Sequence, residues 1–283
     1  MRRLLVPATL VGLWACGEDR ASGTAAPGVD RPTRVDSRPG ETGYREIEVA
    51  LGGSISGRVT WVGERPAEVI ASTGAASACG ETDRVPTLEI GPRGGIRGAV
   101  VVLRGIREGR PRDLRDTPTL RIARCRIEPH VLAVGSGATL RIENTDPMLH
   151  NAHATDASGS TRFDLGLPEQ GASAALSLDR PGILRVVDDA GHPSTLGWIH
   201  VIEHPYFAVT DDSGAFRMTS VPTGQYTLEV WHEGVRPLER LDSSGRPILS
   251  APILLSRMVT VVGAQDTAAD FSLDLNIATT AGE

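Results

Sequence analysis

From Glu46 onward, apolar and polar residues alternate with a period of two, the spacing that sends successive side chains to opposite faces of a strand. EIEVALGG is followed by SISGRVTWVG, in which Ile55, Val59 and Trp61 are expected to face a core while Ser56, Arg58 and Thr60 face water. PTLEIG comes next, and then GAVVVLRGI, an unbroken apolar run of the kind that forms a buried strand. From Phe207 the pattern predicts three short strands with tight turns. Asp211-Asp212-Ser213-Gly214 and Val221-Pro222-Thr223-Gly224 each set a glycine where a turn calls for positive φ, between runs rich in Val, Phe, Tyr and Thr. Turn signals recur about every 8 to 12 residues, so the expected fold class is all-β.

Composition narrows the function classes. The chain has 283 residues, room for one large or two modest cores, with two expected. Gly and Pro are abundant, aromatics sparse, and every basic residue is Arg. A net charge of −6, with no basic stripe interleaved with aromatics, argues against a nucleic-acid partner.

Residues 1–16 have the layout of a signal peptide: a positive Met1-Arg2-Arg3, an apolar stretch from Leu4 to Ala15, and Cys16 after a small residue. An apolar core of about twelve residues is too short to stay in a bilayer as a spanning helix. Leu13-Trp14-Ala15-Cys16 resembles the lipobox of bacterial lipoproteins, which implies lipidation of Cys16, although Trp14 is unusual inside that box; the alternative is an ordinary secretory signal cut a few residues later. Both readings export the chain. Residues 17–45 are polar, rich in Pro and Gly and without periodicity, as a disordered tether would be. Of the three cysteines, Cys79 and Cys125 then remain as an even pair in an oxidising compartment and are expected to form a disulfide.

Two family resemblances organise the rest. ISGRVTWVGERP, GAVVVLRG, FAVTDDSGAFRMTSVPTGQYTLEVWHEG and MVTVVGAQDTAADFSLDL are similar, in order, to pieces of the carboxypeptidase regulatory-like domain, which implies a prealbumin-like sandwich without peptidase residues. About a hundred residues separate Leu103 from Phe207, where that family has a short loop, and an insertion of that size should be a domain of its own. The insert resembles the cupredoxin-like family over CRIEPHVLAVGSGATLRIENTDPMLHNAHA and LDRPGILRVVDDAGHPSTLGWIHVIEH, roughly Thr119 to His204, which implies a Greek-key sandwich. The expected order is a first part of the outer sandwich at 46–110, the insert at 111–203, a second part at 204–275 and a tail at 276–283.

The second resemblance implies a ligand set. His150 and His192 stand where two imidazoles of a copper site belong, but three residues before His192 is Asp189 rather than Cys, with Asp188 beside it, and three residues after is Thr195 rather than Met. A blue-copper site needs the soft thiolate, so what remains suits a harder divalent ion, Cu(II) or Zn(II), with His153 as a fourth ligand. The competing reading is a scaffold whose metal site has decayed, its imidazoles satisfied by carbonyls; the cofactor is therefore expected to be none, or one copper or zinc ion. His200 and Trp198 share a strand face and are expected to pack between domains, and His130, His204 and His232 are read as structural.

There is no G-x-S-x-G, no H-E-x-x-H, no phosphate loop with Lys and no C-x-x-C, and Asp211 with Asp212 fits a turn better than an acid–base pair. The leading expectation is thus a lipid-anchored, non-enzymatic binding module of the cell envelope, meeting a protein or polysaccharide and favouring the outer membrane of a two-membrane cell. The alternative is a periplasmic metal-binding or redox accessory protein. A hydrolase is a distant third.

Overall fold

In the computed structural model, residues 43–66, 69–72, 82–85, 88–235, 237–242 and 246–274 are described. The signal segment with Cys16, residues 17–42 of the expected tether, Cys79 and the tail lie outside the described residues; the end of the expected tether is instead ordered, with Tyr44 buried in the first core and Arg45 paired with Glu108. Short strands aside, the chain runs β1 (Gly53–Trp61) and β2 (Val100–Arg104), then β3 (Thr119–Ala123), β4 (Arg126–Glu128), β5 (Val131–Gly135), β6 (Ala138–Asn144), β7 (His150–Asp156), β8 (Thr161–Leu167), β9 (Ser173–Leu178), β10 (Gly182–Val187) and β11 (Leu196–Ile202). It closes with β12 (Phe207–Val209), β13 (Ala215–Val221), β14 (Gly224–His232), β15 (Ile253–Val261), β16 (Asp266–Ala268) and β17 (Phe271–Leu273).

Two sandwiches result. In the first, a sheet ordered β12-β2-β14-β15 faces a sheet in which β1 pairs with β13, β16 and β17. Ile55, Val59 and Trp61 of β1 point inward, as their alternation requires, and meet Val101, Leu103, Phe216, Leu228 and Val230. In the second, a β4-β3-β6-β9 sheet faces a β5-β11-β10-β7-β8 sheet around Leu120, Leu140, Ile142, Leu184 and Ile199. Strands of the first sandwich come from both sides of the second in sequence, so a complete sandwich is spliced between β2 and β12.

The unbroken apolar run of β2 has a physical reason. Val101 and Leu103 face the first core, while Val100 and Val102 face outward into a seam with Val131, Ile202 and Trp231. Strand β11 is divided in the same way: Ile199 and Val201 enter the second core, and Trp198, His200 and Ile202 turn to the seam, where the rings of Trp198 and His200 lie 5.3 and 4.4 Å from Trp231. Water reaches neither face of these strands, so each apolar side chain there contributes about 1.5–3 kcal/mol of burial free energy. The four sheets therefore stack in series.

The seam also carries a polar core. Glu233, just past β14 and 2% exposed, accepts hydrogen bonds from Trp198 Nε1 at 2.7 Å and from His130 Nε2, while His130 Nδ1 faces the Leu196 carbonyl at 3.0 Å. Beside it a cleft of about 950 Å³ runs between the sandwiches. The turn Asp211–Gly214 is built as its sequence implies: Asp211 Oδ1 accepts from Ser213 N and Ala215 N at 2.8 and 3.0 Å, and Gly214 has φ +74°. Among the described residues no helix is long and apolar enough to cross a membrane.

Candidate metal centre

Strand alternation decides which histidines can meet. Along β7, His150, Ala152 and Ala154 are buried, and Asn151 and His153 lie on the other face. Three strands later in sequence, and next to β7 in the sheet, β10 ends at Val187, and the next residue, Asp188, is fully buried. The loop that follows folds back at Gly191, whose φ of +100° is open to glycine, and is tied by Asp188 N to Thr195 O at 3.3 Å and by Thr195 N to His192 O at 3.0 Å. That return brings the His192 ring to 4.6 Å from the His150 ring.

Asp188 stands between them. Its Oδ2 faces Nδ1 of His150 and, at 2.9 Å, Nδ1 of His192, while its Oδ1 accepts from Ala190 N at 2.7 Å and Asn151 N at 3.0 Å. Burial alone would raise the Asp188 carboxyl, but hydrogen bonds from His150, Ala190 and Asn151 outweigh it and hold the carboxyl below the ordinary range. Burial likewise pushes His150 down, and its contacts with Asp188 and Asp146 more than reverse that. Ligand atoms of His150, Asp188 and His192 all lie within 4.8 Å of one another.

Behind this trio stands a carboxylate that sequence reasoning left without a role. Asp146 Oδ2 lies 3.0 Å from His150 Nε2, so Asp146 would keep a proton on Nε2 and leave Nδ1, which here faces Asp188, as the nitrogen that a metal ion would take in place of its proton. Asp146 is itself fixed: Arg124 N and Cys125 N donate to its carboxylate at 2.6 and 2.8 Å, and its own N–H donates to Asn144 Oδ1 at 2.8 Å. Arg124 and Cys125 both have positive φ, 51° and 56°, in the tight turn joining β3 to β4, and that geometry aims two successive N–H groups at one anion. The signal was present in NTDPMLH, where Asp146 precedes His150 by four.

The structure corrects two expected ligands. Asp189 and His153 do not join the trio; His153 Nδ1 meets Asp189 Oδ2 at 2.6 Å on the outer face, and His153 Nε2 meets Thr161 Oγ1 at 3.0 Å. The reason is the period of two: His153 is three positions from His150, and Asp189 follows Asp188 directly, so each points away from its neighbour's side. A second trio, Cys125, Asp146 and His150, also has its ligand atoms within 4.8 Å. Cys125 is disulfide-bonded, so its sulfur is not available as a thiolate; Cys79, its expected partner, lies outside the described residues. His200 packs on Trp231, as its shared face with Trp198 implied, and His232 Nδ1 meets the Glu233 carbonyl at 2.8 Å.

The donor set fits a borderline divalent ion. Two imidazole nitrogens and one carboxylate oxygen, buried and backed by Asp146, suit Cu(II) or Zn(II), and among the described residues no free thiolate joins them to make a blue-copper centre.

No protein-family profile and no curated protein matches the chain. Solved structures with partial likeness include a copper-containing nitrite reductase from Thermus scotoductus SA-01 (TM-score 0.28, 22% identity, 31% of this chain and 23% of that one). They also include a purple cupredoxin from Nitrosopumilus maritimus (0.27, 19%, 30% and 98%) and amicyanin from Paracoccus versutus (0.28, 16%, 30% and 81%). This chain thus spans under a quarter of the nitrite reductase's length. The all-β architecture is compatible with a cupredoxin-like Greek-key sandwich. Likeness this partial carries no argument about activity, which has to come from the residues themselves.

Proposed function

We propose that the protein is an exported, non-enzymatic metal-binding accessory protein of the cell envelope, holding one copper or zinc ion at His150, Asp188 and His192. The observation that carries this reading is the convergence of both Nδ1 atoms on one buried Asp188 oxygen, with Asp146 behind His150. A bound ion would supply a Lewis-acidic centre or, with copper, a one-electron couple. The chain's own residues would supply rigidity: Asp188 is oriented by two backbone N–H groups, and Asp146 by two more.

This convergence favours metal binding over the partner-binding module, which rests on the regulatory-like resemblance and on the missing Cys and Met ligands. That resemblance remains the basis for reading the first sandwich as prealbumin-like, and the lipobox-like segment for anchoring at Cys16, with the outer membrane favoured where there are two. Metal analysis of protein purified without chelator tests the proposal. One copper or zinc per chain is expected, lost in His150→Ala and Asp188→Asn. No stoichiometric metal, together with unchanged stability of His150→Ala, would sink it.

A further inference from the structure

Arg246 lies in the connection between β14 and β15 of the first sandwich, yet its side chain ends at the candidate metal loop of the second. It sits between the short paired strands Pro237–Leu241 and Pro247–Leu249, and its backbone is locked on both sides to Asp242: Arg246 N donates to Asp242 Oδ1 at 2.9 Å and Asp242 N donates to Arg246 O at 2.8 Å. The residue is 5% exposed. Its Nη2 donates to the main-chain carbonyl of Asp188 at 2.5 Å and to Asp189 Oδ1 at 2.7 Å.

Resting on the metal reading above, we propose that Arg246 is a positioning residue that selects Asp188, and excludes Asp189, as the carboxylate facing His150 and His192. The two aspartates are adjacent just beyond the end of β10, where the ladder thins to a single 3.3 Å bond from Asp188 N to Thr195 O, so the orientation of the peptide between them determines whether the alternation that turns Asp188 inward is kept. A planar peptide moves as one body, and anchoring the Asp188 carbonyl on a guanidinium fixes it. The same nitrogen holds Asp189 Oδ1 while His153 takes Asp189 Oδ2, so both oxygens of the rejected carboxylate are occupied outside the site. A guanidinium suits this task because the two N–H bonds of Nη2 are fixed in the plane of the group and can hold a carbonyl and a carboxylate together, which a lysine ammonium on a flexible stem does less rigidly. The first sandwich thereby sets the ligand chemistry of the second.

The test is Cu(II) titration of the full chain followed by electron paramagnetic resonance. Wild type and Asp189→Asn should give the same single species. Arg246→Ala should bind about tenfold more weakly, the scale of losing an outer partner of a metal ligand, and show two species as Asp189 competes. Arg246→Ala/Asp189→Asn should return to one species, and Arg246→Lys should be intermediate. Wild-type spectrum and affinity in Arg246→Ala would overturn the inference while leaving the metal site standing. A changed spectrum in Asp189→Asn overturns it without relying on any Arg246 variant. Wild type that takes up neither copper nor zinc stoichiometrically removes the metal reading itself, and this inference with it.

Discussion

Asp146 shows how much one carboxylate can organise. It satisfies two N–H groups in a strained turn and one ring nitrogen, so its charge serves both the turn and the site. Replacing it by Asn keeps the shape but loses the charge-assisted bonds, each worth about 1.5–3 kcal/mol. Asp146→Asn should therefore lower metal-free stability by about 1–3 kcal/mol and weaken metal affinity by about 10- to 100-fold, measured by denaturant melts and chelator competition. A stability loss with affinity unchanged would show that Asp146 serves the turn alone. Residues of this kind explain what the sequence made legible. His150 and His192 could be picked out because a motif marks them, whereas the choice between Asp188 and Asp189 could not be made by counting, because it depends on where β10 stops and on Arg246, 58 positions away. Glu233 was hidden for the same reason: its partners His130 and Trp198 become neighbours only when two sandwiches close on each other.

At the scale of the element, β11 and the residues after it carry histidines into apolar surroundings. Burial, with Arg104 nearby, pushes His200 down to about 3 and His204 down to about 4. Both are depressed relative to an unfolded value near 6.5, so the unfolded chain binds more protons below that pH and stability falls as pH drops from about 6.5 toward 4 and 3. His130 works in the opposite direction: burial lowers it, but Glu233 more than compensates and raises it. Its contribution is complete below about 6.5 and is lost as pH rises through its elevated value. Stability should peak near neutrality. His200→Phe should flatten the acid limb, shrinking the difference between pH 7 and pH 5 by about 2 kcal/mol in denaturant midpoints. An unaltered acid limb would mean that His200 is not held neutral. The strands themselves were the most readable feature, since alternation in β1 and the Asp-Gly turn before β13 are local properties, while the double burial of β2 became clear only when its second face was seen to be covered.

For the whole molecule, the seam determines whether two cores behave as one. Trp231 projects from β14 against Trp198 and His200 of the second sandwich and packs with Val100, Val102, Val131 and Ile202. Trp231→Ala should cost about 3–5 kcal/mol, the usual range for truncating a buried large aromatic, and should split a single denaturation transition into two as the sandwiches uncouple. One unshifted transition would show that the cores are coupled elsewhere.

The two-faced burial of β2 also bears on engineering. The outer side of this sheet presents valine, so the first sandwich depends on the second to cover it. Cutting out residues 111–203 and rejoining the ends would leave Val100, Val102, Phe207, Val209 and Trp231 as a sticky wall rather than restore a smaller soluble domain. Such an arrangement acts as a ratchet: with the covered face apolar, the second sandwich cannot be removed without exposing it.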